Sequence, residues 1–422
     1  LVPAFLQAWD AGARKIYLMR VTGEYASLEL KDGGDTTLLI VRGRYPGSRY
    51  NAIEVSVNDQ EILIDGFEVK SYALTNEDGE SKTLGQLIAE INRDSATHGA
   101  VAVLPDGVDE NTTVDNLAVV TGAKLQGGTN GLNPVLGSYE GTGYRGDLER
   151  AYKLLEGQSF DIIVPLGVRV NWNGTTLDTT DAHRLAEFCA QQTLTDNPAI
   201  GVINVSQPAD YSLATVKEYA EGLAGTDHLY SDTEGNDLGR YLQIVVGRLI
   251  FNDDLLGTYS DDAAAAYAGL LASLERHRST TNKVVRGALG VAYQLTAAQR
   301  DALAANGFVT IYNQVGRGPV VTSDRTAAPL GSDYDYMVTV RIATDVVKAI
   351  RLVGNAYIGE PMSMARQNAL KGDIDAVLAA RKDTAWGAIL DYSFQLTGSL
   401  IEQIRGIFTV EVNLVPVPTL RR

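Results

Sequence analysis

The side chains able to do chemistry in this 422-residue chain are few and far apart. Its single cysteine, Cys189, has no second thiol to pair with, so nothing here demands an oxidising compartment. Nucleophilic chemistry at Cys189 would need a base facing it. His183 lies six residues away on the same expected helix, a poor match to the three or four that bring side chains together. Cys189 therefore reads as a small core residue. The four histidines, His98, His183, His228 and His277, are scattered, and none has a ligand partner at metal spacing. The acidic doublets Asp253/Asp254 and Asp261/Asp262 bracket an expected loop able to recruit a cation. Asp261 also stands where a helix beginning near Ala263 wants its N-cap, and capping is the preferred reading.

One glycine motif remains. Residues 141–146 (GTGYRG) fit G-x-G-x-x-G and open an expected helix. The dinucleotide fingerprint works as a strand-to-helix turn presenting amides to pyrophosphate. Residues 133–140 contain Pro134 and Gly137 and do not read as the required buried strand. The chain has no G-x-x-x-x-G-K-[ST] phosphate loop and no G-x-S-x-G elbow. The reading is a non-enzyme with no catalytic residue, no cofactor and no metal.

Composition bounds the rest. A hydrophobic share of 45% over this length suits a chain with two or three cores, able to fold without disulfides or metals. No run reaches the roughly 18 apolar residues that a membrane helix needs. The net charge of −16 argues against a general nucleic-acid binder. It fits a solvated acidic surface, or acidic faces that meet basic patches on sister copies; composition leaves both open.

The elements that must carry these residues follow from periodicity. An opening helix over 2–13 and a strand over 15–21 (KIYLMRV) start the chain, and the absence of an initiator methionine suggests that something precedes them. Residues 24–125 carry short alternating runs at 36–42, 52–57, 61–64 and 68–74, with one helix at 84–93 capped by Thr83. This reads as an inserted β-rich domain. After the glycine-rich joint 126–131, helices at 147–157, 181–192, 214–223, 263–276 and 297–306 alternate with strands at 160–165, 199–205, 242–248 and 308–313. Such alternation means an α/β core with a mostly parallel sheet flanked by helices. From 333 two long helices, 344–357 and 363–382, lead into strands 388–396 and 406–417. In the last, Phe408, Val410, Val412 and Leu414 alternate with Thr409, Glu411 and Asn413. A period-2 strand so near a terminus must find a sheet edge, and an edge on another chain would tie subunits together by backbone hydrogen bonds.

Several blocks, in order, resemble contractile phage tail sheath proteins. Residues 307–327 (GFVTIYNQVGRGPVVTSDRTA) resemble their strand, glycine turn and second strand. Residues 336–341 (YMVTVR) resemble the next strand, 344–360 the following helix with its IGEP exit at 358–361, and 387–395 with 408–416 the closing strands. Upstream, 4–21 resembles the family's opening helix and strand, 45–51 (YPGSRYN) its PGxxxN turn, and 125–132 (LQGGTNGL) its glycine-rich joint. The family's N-terminal arm and first strand–helix unit have no counterpart, which fits a start inside a longer product.

The resemblance implies a structural subunit of a myovirus-type virion tail, assembled in the host cytoplasm. It would polymerise as stacked, hexameric rings in a helical lattice around an inner tail tube protein, with baseplate and tail terminator proteins as further partners. Metastable extended subunits would contract without nucleotide or metal, with no direct contact to nucleic acid and no membrane insertion. The division expected is 1–23 as the start of the core domain, 24–125 as the outer insertion, 126–332 as the α/β core and 333–422 as a C-terminal α+β interlocking domain facing the tube. Phe408, Thr409, Val410, Glu411, Val412, Asn413 and Leu414 would form a donated strand. Arg366, Lys371, Arg381 and Lys382 would face the inner tube, unless they are an ordinary solvated helix face. The alternatives are the sheath of a bacterial secretion or extracellular injection system, and an α/β enzyme binding a phosphate-bearing cofactor at 141–146.

Overall fold

The structure, a computed structural model, describes residues 2–19, 21, 24–45, 47–128, 139, 144–195, 197–226, 237–253, 257–329, 331–382, 387–398 and 407–418. Residue contacts divide the chain into two compact units, Leu1–Leu18 with Glu156–Arg422, and Met19–Leu155.

Helix α1 (Val2–Ala11) opens the larger unit. It packs so closely on a later helix that a Cβ on Gly269 would stand 2.3 Å from the Ala8 carbonyl, so the contact requires glycine. The strand expected over 15–21 is not formed: residues 15–19 run without a ladder partner, and Tyr17 and Leu18 are exposed. Their β-forming side chains fit a pleated surface that this segment does not meet among the described residues.

The unit Met19–Leu155 is β-rich. Strands β1 (Ser27–Lys31), β2 (Thr37–Gly43), β3 (Glu54–Val57), β4 (Glu61–Asp65), β5 (Val69–Ala73), β6 (Ala100–Val103) and β7 (Val120–Lys124) form two antiparallel sheets, ordered β1-β2-β6 and β5-β4-β3-β7. The alternation read from the sequence becomes burial: Val55, Val57, Ile62 and Ile64 turn inward from β3 and β4. Helix α2 (Leu84–Arg93) is capped by Thr83, whose hydroxyl accepts from Gln86 N while the Gln86 side chain accepts from Thr83 N. Its Leu84, Leu87 and Ile91 enter the same core. A short α3 (Ser95–His98) follows, and α4 (Tyr144–Leu155) ends the unit.

The two ends of this insertion are fastened together. Ser27 and Gln126 exchange backbone hydrogen bonds of 2.8 and 3.0 Å. The Asn51 amide bonds both the carbonyl and the N–H of Gly128, at 2.9 Å each. A Cβ at Gly128 would clash with the Gly47 carbonyl and with Ala26. The turn at 45–51 and the glycine-rich joint, read as separate signals in the sequence, are thus one clasp.

In the larger unit, β8 (Ile162–Ile163), β9 (Arg169–Trp172), β10 (Leu177–Asp178), α5 (Thr180–Leu194), β11 (Ile200–Val205), α6 (Leu213–Ala224) and β12 (Leu242–Val246) follow in order. Every residue of β11 and β12 is buried, as their continuous apolar runs required. Next come β13 (Arg248–Asp253), β14 (Gly257–Asp262), α7 (Ala264–Ser273), β15 (Ala288–Val291), α8 (Ala297–Ala305), β16 (Phe308–Gln314) and β17 (Gly318–Val321). The main sheet runs β10-β9-β11-β12-β16-β17 with β8 also on β11. Its pairings β8–β11, β9–β11, β11–β12 and β12–β16 are parallel, while β9–β10 and β16–β17 are antiparallel.

Two expectations fail here for physical reasons. Asp261 is not an N-cap: it lies in β14, which pairs along its length with β13 where a loop was expected. The first amide of α7 is instead met by Asn204 from β11, with Oδ1 accepting from Ala264 N at 3.2 Å. Residues 336–341 are not a strand. Helix α9 (Met337–Asn355) begins there, because Val338, Ile342 and Val346 recur at four residues and form a buried stripe. Helix α10 (Met364–Lys382) and strands β18 (Ile389–Thr397) and β19 (Thr409–Pro416) complete the chain.

Candidate assembly surface

The last four elements form a small module with its own core. The α9 stripe meets Leu370, Ile374 and Leu378 of α10, together with Ile389. Over this core lies the β18–β19 hairpin. Its alternating residues Tyr392, Phe394 and Leu396 stand opposite Leu414, Val412 and Val410, and all six pack on the core. The other face of β19, with Thr409, Glu411 and Asn413, is exposed, and Gln395 of β18 donates to Glu411 across it. Phe408 is half-buried just before the strand.

The terminal strand therefore finds its first partner inside its own chain, on β18. The ladder has only two strands, and neither outer edge has a strand partner among the described residues. A lone two-stranded ladder is marginal in water, and open edges are templates for pairing with another chain.

Ion pairs hold the module to the α/β core of the same unit. Arg381 of α10 bonds Asp345 of α9 at 2.7 Å. Arg276 reaches both Asp345 at 3.4 Å and Asp161 at 3.2 Å, and Lys348 bonds Asp161 at 2.6 Å. Burial pushes the Asp161 carboxyl up, but the hydrogen bonds and charges of Lys348 and Arg276 outweigh it and hold the carboxyl below its ordinary value. Arg341 donates to the Leu274 carbonyl at 2.6 Å and Arg351 to that of Thr193 at 2.8 Å.

These contacts change the meaning of the basic residues on α10. Arg366 is paired with Glu360 at 2.9 Å, Arg381 with Asp345, and Lys382 with Asp391 at 2.6 Å. Lys371 is exposed and has no ion-pair partner among the described residues. The four do not form one uncompensated patch, because three serve the module's own packing. Sequence reasoning missed their partners, since each acid lies outside α10.

The residues singled out for chemistry are not brought together. Cys189 is fully buried and its thiol is pushed up by burial, while His183 is half-buried and faces Glu187 at 3.2 Å. His98 is buried in the insertion, with Nδ1 accepting from Ala100 N at 3.1 Å and Nε2 facing the Ile91 carbonyl at 3.2 Å; this fixes a neutral ring protonated on Nε2. Gly141, Gly143, His228 and Asp254 lie outside the described residues, and Gly146 is buried within α4. Among the described residues no group of three or more His, Cys, Asp or Glu is placed to hold a metal, and no helix is long and apolar enough to cross a membrane.

Comparison with known proteins puts this arrangement in context. Residues 147–327 match the family model described as the phage tail sheath protein central domain. The sheath tail protein of Desulfitobacterium hafniense aligns over 98% of this chain and 87% of its own, at 14% identity and a TM-score of 0.52. That of Listeria innocua aligns over 95% and 80%, at 16% identity and a TM-score of 0.52. These likenesses show a shared mixed α/β fold. A chain of the anti-feeding prophage baseplate aligns over 58% of this chain at 15% identity and a TM-score of 0.43, and this chain spans 64% of its length. No curated protein sequence matches. The resemblance read from the sequence is borne out over residues 147–327, which match the phage tail sheath protein central domain.

Proposed function

We propose that this chain, a sheath protein by its central domain, polymerises into a helical tube around an inner tail tube and shortens by exchanging one set of subunit interfaces for another. The observation that carries this reading is the family match over 147–327, joined to a sheath fold that spans nearly the whole chain. The module from α9 to β19 makes the lattice, through the open edges of its two-stranded ladder. Strand 408–414 is then shared with a neighbour in addition to β18, and Lys371 is the residue of the basic set with charge left for the tube. The insertion lies outermost, with 24–125 as its extent, and the α/β core occupies 126–332. Catalysis has no part in this work, because contraction draws on free energy stored at assembly. The finer setting is a virion tail, put together in the host cytoplasm, with hexameric rings, a baseplate and a tail terminator. Negative-stain microscopy of the purified chain at high concentration tests the reading. Tubes or stacked rings are expected; monomers alone, even with any upstream segment restored, would overturn it.

A further inference from the structure

Between α1, the segment 164–169 and the end of β14 lies a solvent-open cavity of about 210 Å³. Part of its wall is apolar, with Pro3, Ala4, Val164, Leu166 and Ala265. Its polar side chains are Gln7, Arg169, Asn204, Asp261 and Asp262. Asn204 is used up, accepting from Ala264 N and donating to the carbonyls of Val205 and Gly247. Asp262 is held by Arg169 and by Gln207. Asp261 accepts from Gln7 Nε2 at 3.0 Å and from Asp262 N at 2.8 Å, which leaves about half of a carboxylate's acceptor sites open. Gln7 is 1% exposed, and its Oε1 meets no donor among the described residues. A buried amide oxygen without a donor is costly, so a group that donates to it would be favoured there.

We propose that this cavity receives the side chain of a lysine or arginine from a second copy of this chain. The chemistry selects that occupant over a metal ion. Calcium and magnesium ask for six or more oxygens, commonly from several carboxylates, and here Asp261 is the one carboxylate not already ion-paired. An alkylammonium or guanidinium group instead offers several donors to Asp261 and Gln7 Oε1, while its aliphatic stem lies along the apolar wall. Charge points to a sister copy. The chain carries −16 overall, yet Lys283 and Arg286 are exposed without an acidic partner among the described residues. The inference rests on the self-assembly reading and adds a specific socket to it.

The test places a photoreactive benzoylphenylalanine at Leu166 of the full chain and irradiates assembled tubes and dilute subunits in parallel. The expected result is a chain-to-chain adduct whose partner peptide contains a lysine or arginine, found in tubes and absent from dilute subunits. Asp261→Asn should lower its yield at least about fivefold while the melting temperature of the dilute subunit stays unchanged, since a merely structural role would move the melting and not the adduct. Tubes without the adduct, an adduct equally abundant in dilute subunits, or a yield indifferent to Asp261→Asn would each overturn the socket and leave the sheath reading standing. Failure to form tubes would remove both.

Discussion

In the unit Met19–Leu155, seven strands and helix α2 turn their apolar residues into one shared core, and backbone and Asn51 hydrogen bonds close the chain ends on each other. In the module from α9 to β19, a two-stranded ladder covers a much smaller core, and Leu352, Ile358, Met364, Leu390 and Val415 remain exposed. The first region closes a large core of its own. The second leaves both outer ladder edges without a strand partner among the described residues, and the proposed assembly would cover them.

Breaking the second region should have the larger effect on assembly. Deleting residues 408–422 removes β19, takes Val410, Val412 and Leu414 off the module's core, and leaves one strand with no ladder. Microscopy should show no tubes, while the melting of the insertion is unchanged. Normal tubes from this variant would mean that the lattice does not use the ladder.

Breaking the first region should do the reverse. Leu87→Ala empties a fully buried site in the insertion and should cost that unit about 2–5 kcal/mol in denaturant melts, with tube formation kept. Loss of tubes would put the insertion inside the lattice. Asn51→Ala strips both hydrogen bonds from Gly128 and should cost about 1–3 kcal/mol, again local to the insertion.

Acid should separate the regions by a smaller margin. Burial, the main influence, holds the His98 pKa below 6.5. Its contribution is therefore whole above pH 6.5 and falls as the pH drops from there through the folded value, because the unfolded chain takes up the proton first. Asp161, also lowered, keeps its contribution above 3.8 and loses it as the pH falls through its folded value. On acidification the insertion should weaken first. A melt in which both regions soften together above pH 5 would contradict this.

Much of the fold was legible in the sequence where one physical signal dominated. The continuous apolar runs of β11 and β12 read as buried parallel strands, and Thr83 read as a helix cap. What stayed hidden depended on partners distant in sequence. Residues 15–19 have β-forming side chains but no ladder partner among the described residues. The β-branched residues Val338 and Val340 disguised a helical stripe as a strand. The polar run of β14 looked like a loop ending in a cap, because its partner β13 supplies the apolar side. In the candidate surface, the alternation of β19 was plain, but its pairing with β18 and the acids that neutralise Arg366, Arg381 and Lys382 were not.

Amide hydrogen exchange on tubes against dilute subunits tests the central claim most directly, that the lattice is made by the C-terminal ladder and not by the insertion. On assembly, amides along the outer edges of β18 and β19 should slow by about a hundredfold or more, while those of β1 to β7 keep their rates. Unchanged exchange over 389–416, or new protection confined to 27–124, would contradict it.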